Sequence, residues 1–295
     1  MGIDLGGTKT EVIVLDSADG EIHRKRVATP RKSGVDEYRG ILMNLNDLIT
    51  VTLKCVPREA KLTIGIGIPG SLDPVTGLVR NANTTCLNGK PLKADIEKQF
   101  NRSVGMMNDA NCFTLAECRK GAARGIRVVF GVIMGTGCGG GICIDGMIHK
   151  GRNGIGGEWG HFAIDPHGSK CYCGNRGCIE TKISGAGVET AFYKRFNYRL
   201  SMEEIVIGYR NKNPACTEML FQFLKDFGCA AGGLVSTLDP DAIVLGGGLS
   251  NIEELYDPNL NNVQQYAFHP QAATPILKNE LGDSAGVFGA AWIGI

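Results

Sequence analysis

The sequence predicts an α/β protein of two domains, and three observations carry that prediction. The chain has 295 residues, more than one ordinary hydrophobic core organises, so two domains with a cleft between them are expected. Strand-like and helix-like patterns alternate along it. A strand, a glycine turn, a second strand and an aspartate recur in DLGGTKTEVIVLD and IMGTGCGGGICID, a sign of two halves built on one plan.

The first half opens on a hairpin. Residues 1–5 and 10–15 alternate as strands around Gly6-Gly7, and a third strand is expected over 21–28. Apolar Ile41, Leu42, Leu45, Leu48 and Ile49 recur at helical spacing and predict a helix over 35–56. Residues 62–68 read as a buried strand stopped by Pro69-Gly70. A short helix over 95–100, a strand over 104–107 and a helix over 110–123 follow. The second half begins with strands over 128–134 and 142–144 about the turn GTGCGGG. Residues 154–177 are rich in Gly, Cys and His and show no period, so something other than a core should hold them, and metal is the candidate. Helices are expected over 187–196, over 202–209, where Ser201 and Glu204 form a capping box, and over 217–238 behind Pro214. A strand over 242–245 runs into Gly246, Gly247 and Gly248, and a helix over 286–293 closes the chain. The domains expected are 1–112 and 113–284, the latter with the metal loop, and 285–295 packs back on the first.

Bulk composition narrows the function. Apolar residues make up 43% and charged residues 21%, an ordinary globular balance. No stretch approaches the ~20 apolar residues of a membrane span. The N-terminus lacks a basic leader and an apolar core segment, so a cytoplasmic location is expected. Lys plus Arg (31) nearly balances Asp plus Glu (30), which leaves no basic field for nucleic acid or an anionic membrane and favours small polar substrates. Eleven cysteines, an odd number without a signal peptide, read as thiols or metal ligands. Only Cys171, Cys173 and Cys178 are closely clustered, and most of the others read as small core residues.

Several short motifs carry chemistry. DLGGTKT places Asp4 at a strand end, with Gly6 and Gly7 in a turn whose bare N–H groups can approach phosphate, and Thr8 and Lys9 add donors. A tight turn alone would explain the glycines. It would not explain Asp4, because an unpaired carboxylate in an apolar strand is costly, so a role with magnesium or phosphate is expected. GTGCGGG, with Gly135, Thr136 and Gly137, formally matches the dinucleotide pattern G-x-G-x-x-G. That motif needs a following helix, whereas Ile142, Cys143 and Ile144 continue as strand, so backbone donation to phosphate is the better reading. The tripeptide at 226–228, DFG, lies in a helical pattern without the other protein-kinase motifs and is chance, and no Walker A sequence is present.

Asn108-Asp109-Ala110-Asn111 stands where a strand gives way to a helix. Asp109 there suits a catalytic base, while either Asp109 or Asn108 could instead be a plain N-cap. His161, then after nine residues Cys171, then Cys173 and after four more Cys178, supply the ligand types of a closed tetrahedral zinc site, with His167 as a competitor for His161. Four protein ligands leave no position for a metal-bound water, so such a zinc would be structural. Glu158 and Glu180 flank this loop and, with His161, suit sugar hydroxyls. Gly246, Gly247 and Gly248 either admit an adenine or ribose or form an ordinary loop.

Taken together, DLGGTK, GIPG, NDAN, GTGCGGG, EWGH, CYCGNRGCIE and LGGGLS follow the order of the ROK family of repressors, open reading frames and sugar kinases, and the chain resembles that family throughout. EWGH with CYCGNRGCIE is the most specific mark. NANTTCLNGKPL looks most like the bacterial fructokinase or mannofructokinase branch, with the N-acetylglucosamine kinases close by. The resemblance implies an actin-like, ribonuclease H-like pair of α/β domains. It implies ATP phosphates and Mg2+ at the loops of Asp4 to Lys9 and Gly135 to Gly137, and Asp109 as proton acceptor. Asn83, Asn108, Glu158, His161 and Glu180 match its sugar-contacting positions, His161 serving both sugar and zinc. It implies a homodimer and ATP-dependent phosphorylation of a hexose, fructose first, with mannose and glucose behind. The alternative is an N-acetylglucosamine kinase or a non-catalytic sugar sensor. Family repressors carry a helix-turn-helix before the first phosphate motif, which here begins at Asp4, so no nucleic-acid partner is expected. Lys182 and Cys138 are not residues the family pattern predicts.

Overall fold

The computed structural model describes residues 1–30, 36–57, 59–269 and 271–294. Its packing divides into two units, Met1–Ala116 with Lys150–Gly156 and Ser284–Ile295, and Glu117–His149 with Gly157–Asp283. Phe113–Ala116 and Lys150–Gly156, expected in the second domain, pack with the first unit.

The first unit is built on a five-stranded sheet. Its strands are β1 (Gly2–Leu5), β2 (Lys9–Leu15), β3 (Glu21–Ala28), β4 (Gly65–Ile68) and β7 (Gly105–Asn108), in the order β3-β2-β1-β4-β7. A small ladder of β5 (Ser71–Leu72) and β6 (Val79–Arg80) follows β4. Pairing is antiparallel from β3 to β1 and parallel from β1 through β4 to β7. Helices α1 (Glu37–Leu53) and α2 (Leu92–Phe100), with α3 (Asp109–Arg119) as far as Ala116, complete the fold. Ile41, Leu45 and Ile49, three of the residues that predicted α1, are buried with Ile3, Leu5, Ile66 and Ile68 of the sheet. Asp36 caps that helix, whose expected start at Val35 lies outside the described residues.

The second unit repeats the plan. Strands β8 (Val128–Met134), β9 (Cys138–Ile144), β10 (Met147–Ile148), β11 (Ala242–Gly246) and β12 (Ile276–Lys278) lie in the order β10-β9-β8-β11-β12. Again the first three are antiparallel and the last three parallel. Helices α4 (Glu180–Ile183), α5 (Gly185–Phe196), α6 (Met202–Arg210), α7 (Pro214–Leu238) and α8 (Val263–Tyr266) belong to this unit, with Phe192, Phe223 and Phe227 in its core beside Phe130 and Leu245. The capping box at Ser201 and Glu204 is formed.

The C-terminal helix, α9 (Ala285–Trp292), packs on β1, β2 and β4. Glycines make that contact close. A Cβ on Gly2, Gly65 or Gly105 would lie 2.3, 1.9 or 1.8 Å from the carbonyl oxygens of Val287, Ala290 and Ile293. The expected extent of this segment to residue 295 ends outside the described residues.

Further expectations change. GTGCGGG is a turn only at 135–137, because Cys138 to Gly141 pair in register with Met134 to Gly131. Gly140 is required by packing, since a Cβ there would meet the Phe130 ring at 2.8 Å. Helix α3 stops at Arg119 rather than 123, where the Glu117 carboxylate accepts from the Ala122 N–H at 2.9 Å and turns the chain. Helix α7 begins at Pro214, whose missing N–H is harmless in a first turn that Asn213 caps.

Candidate active site and cysteine cluster

In the first unit the candidate residues gather at the carboxyl ends of three neighbouring parallel strands, where ligands of open α/β sheets bind. Asp4 of β1 lies opposite Gly67 of β4, and Ile68 of β4 lies opposite Asn108 of β7. Asp4 is half-buried. Loss of water from its carboxylate, then the charge of Glu11, push it up to about 6 against the opposing pull of Lys9 and Arg26. Its oxygens are walled by two residues without side chains, since a Cβ on Gly286 would lie 3.1 Å and one on Gly67 3.6 Å from them. A carboxylate with such space around it fits a hydrated divalent cation.

The turn after Asp4 is closed by the Gly6 N–H on the Lys9 carbonyl at 3.0 Å. Thr29 latches it, donating its hydroxyl to the Gly6 carbonyl at 2.7 Å and its N–H to the Thr8 carbonyl at 2.9 Å. Thr8 and Lys9 are exposed at the turn. Sequence reasoning missed Thr29, because nothing local marks a residue that acts on a turn twenty positions away.

At the start of α3 the capping role falls to Asn108. Its Oδ1 accepts from the N–H groups of Ala110 (2.9 Å) and Asn111 (3.2 Å). Asp109 Oδ1 accepts from the same Ala110 N–H at 2.8 Å, which orients the carboxylate at the helix N-terminus. Burial, then the charges of Asp4 and Asp109, push the Cys112 thiol well up against the opposing pull of Lys150. Asn83 is exposed, and its N–H donates to the Pro69 carbonyl just past β4 at 3.2 Å. The segment that carries it is closed by Asn88, which exchanges hydrogen bonds of 2.8 and 2.9 Å with the Ala82 backbone.

In the second unit, Gly135, Thr136 and Gly137 follow β8 while Gly246 ends the adjacent parallel β11, so the two glycine loops share one sheet edge. Gly247 has φ +78°, and a Cβ on it would sit 2.4 Å from the Met134 carbonyl oxygen. Ser250 and Asn279, neither singled out from sequence, hold this loop through the Gly247 and Leu245 carbonyls. Glu158, half-buried, precedes the short 3-10 turn Trp159–His161, which lies over β9. The close approach needs glycine twice. A Cβ on Gly157 or Gly160 would meet backbone of Gly140 at 2.7 Å or Cys138 at 2.0 Å, and Trp159 Nε1 donates to the Gly139 carbonyl at 3.1 Å. Glu180, the first residue of α4, accepts from the Cys138 N–H at 3.0 Å.

His161, Cys171, Cys173 and Cys178 converge, with all four donor atoms within 4.8 Å of one another. His161 Nδ1 lies 3.6 Å from Cys171 Sγ, and Cys173 and Cys178 Sγ are 3.6 Å apart. A tetrahedron with bonds of ~2.3 Å has edges of about 3.8 Å, so the donor set and spacing fit Zn2+. His161, not His167, is the histidine in this cluster. The loop reverses at Gly177, where a Cβ would lie 1.7 Å from the Asp165 carbonyl oxygen. Tyr172, not singled out from sequence although it sits between two of the cysteines, approaches the other ring nitrogen, His161 Nε2, at 3.0 Å.

The sequence model of the ROK family matches residues 1–295. This chain is 38% identical over 309 residues to an N-acetyl-D-glucosamine kinase of Yersinia enterocolitica, covering 99% of this chain and 98% of that one. It is 34% identical over 301 residues to an N-acetyl-D-glucosamine kinase of Histophilus somni, covering 98% and 97%. A solved ROK hexokinase from Thermus thermophilus is similar with a TM-score of 0.86 at 30% identity, over 99% of this chain and 96% of that one. A ROK family glucokinase from Streptomyces griseus, solved in complex with glucose and AMPPNP, has a TM-score of 0.81 at 27% identity, over 99% and 98%.

Proposed function

Because the chain belongs to the ROK family and is an ATP-dependent sugar kinase with the actin-like fold, we propose that its acceptor is N-acetyl-D-glucosamine. The observation that carries this reading is the identity of 34% and 38% to N-acetyl-D-glucosamine kinases over essentially the whole chain. The fructose expectation rested on one segment, NANTTCLNGKPL, and yields to a likeness that spans both units.

In this reading Asp109 accepts the proton of the sugar hydroxyl as its oxygen attacks the γ-phosphorus of ATP, the bond from that phosphorus to the β,γ-bridging oxygen breaks and ADP leaves. The Ala110 N–H holds the carboxylate in one orientation, so little reorganisation is needed when the proton moves. Asn83 and Asn108 contact the sugar from the same strand ends, and Glu158, His161 and Glu180 take its other hydroxyls. The N–H groups of Thr8, Thr136 and Gly137 donate to phosphate oxygens from the two glycine turns, and the exposed Gly247 and Gly248 give a nucleotide close access to the backbone. Mg2+, which the Asp4 carboxylate would help hold, supplies charge neutralisation on the triphosphate. Zinc on His161, Cys171, Cys173 and Cys178 would fix the loop that carries His161 between Glu158 and Glu180. Phosphoryl transfer asks mainly for alignment and charge compensation, which such an arrangement offers.

A coupled ADP-release assay over N-acetylglucosamine, N-acetylmannosamine, glucose, mannose and fructose tests the proposal. N-acetylglucosamine should show the highest kcat/KM, by about tenfold or more, a margin within reach of contacts to one extra group. Preference for fructose would restore the first expectation, and no turnover with any sugar would favour a sensor.

A further inference from the structure

Glu180 stands at the junction of two loops of the second unit. It follows Cys178 by two positions and opens α4, so the cysteine cluster sets where its backbone lies. Its Oε2 accepts the hydrogen bond from Cys138 N–H, the residue after Gly137, at 3.0 Å. The turn is shaped around that oxygen, because a Cβ on Gly137 would lie 2.8 Å from it. The segment following Glu180 secures the other end of the same turn, the Gly185 N–H donating to the Gly135 carbonyl at 2.7 Å. Gly135 N–H in turn donates to the Gly137 carbonyl at 2.9 Å. Both ends of 135–137 are therefore anchored to the stretch 180–185.

Resting on the reading of residues 135–137 as a nucleotide loop, we propose that Glu180 is a positioning residue for that loop, beyond any contact it makes with the acceptor. A carboxylate accepting from a backbone N–H makes a strong, short-range bond, and it fixes the direction of the neighbouring N–H groups before phosphate arrives. One side chain then serves both substrates. A sugar ligand alone predicts a different outcome, since its loss would weaken sugar and leave the nucleotide unaffected.

Calorimetric titration of AMPPNP with Mg2+, in the absence of sugar, separates the two. Glu180→Ala should weaken AMPPNP binding about tenfold or more, the scale of losing a hydrogen bond to a charged group. Glu180→Gln, whose amide oxygen can still accept from Cys138, should stay within about threefold of wild type. Metal content and melting temperature establish that each variant is folded. An AMPPNP Kd for Glu180→Ala within about twofold of wild type overturns the proposal. Should that variant not fold, Glu180→Asp, whose carboxylate is one methylene short of the Cys138 N–H, decides by the same limits. No sugar enters the measurement, so a wrong acceptor assignment fails the sugar panel and leaves this result untouched.

Discussion

Asp109 and Asp4 occupy equivalent situations, each a carboxylate at the carboxyl end of a parallel strand, yet their surroundings make different demands. Helix α3 is capped by Asn108, so the helix does not depend on the Asp109 carboxylate. Asp109→Asn should therefore lower kcat by about 10²- to 10⁴-fold and leave the sugar Kd near wild type, read by steady-state kinetics beside calorimetry. A near-normal kcat would remove Asp109 from the mechanism. Asp4 reports itself through pH. Its carboxyl is raised to about 6 when folded, by burial and Glu11, so the folded state holds the proton more tightly than the unfolded chain does. The stability this contributes is complete below about pH 4 and is lost as pH rises through 6. Without Mg2+, Asp4→Asn should match wild type near pH 4 and exceed it by about 1–3 kcal/mol at pH 7, measured by urea denaturation. Parallel pH profiles would contradict the assignment.

Elements in this chain meet through glycine. The C-terminal helix lies on β1, β4 and β7 closely enough that any side chain at Gly2, Gly65 or Gly105 would strike its carbonyls. Gly105→Ala, with its new Cβ 1.8 Å from the Ile293 oxygen, should cost at least about 1–3 kcal/mol and lower the melting temperature. Gly233 in α7 is the contrast. It is exposed with nothing near its Cβ position, so Gly233→Ala should stabilise by about 0.5–1 kcal/mol through helix propensity alone. Glu117 shows the same dependence in polar form. Wholly buried, it accepts from the N–H groups of Ala122, Glu280 and Leu281 and joins the end of α3 to the segment before α9.

Across the whole molecule one plan is used twice, three antiparallel strands continued by parallel ones, and each copy carries a glycine turn after its first strand. The copies differ in what was added. The second unit carries the cysteine loop, whose irregular backbone has few isolated bridges and long runs of turn. Free energy of metal binding there would be folding free energy. Purified protein should contain one zinc per chain, and chelation should lower its melting temperature reversibly. Cys173→Ser should abolish both the zinc and the response to chelator, and should weaken sugar binding with it. Metal analysis finding no zinc in wild type would refute this.

Sequence alone determined the α/β class, the doubled plan, most long elements and the residue types of the sites, because these depend on local periodicity, capping and donor chemistry. Helix α1 was visible in Ile41, Leu45 and Ile49, the α6 cap in Ser201 and Glu204, and the members of the His161, Cys171, Cys173 and Cys178 cluster in their spacing. Strands of two or three residues such as β10 and β12 were not visible, since so short a run has no period to read. Only the tertiary structure decided that Asn108 rather than Asp109 caps α3, that His161 rather than His167 faces the cysteines, and that Cys138 to Gly141 are strand rather than turn. It alone showed Thr29 latching the first glycine turn and Glu180 holding the second. Those choices depend on which backbone groups lie within about 3 Å of a side chain, a distance that chain separation does not encode.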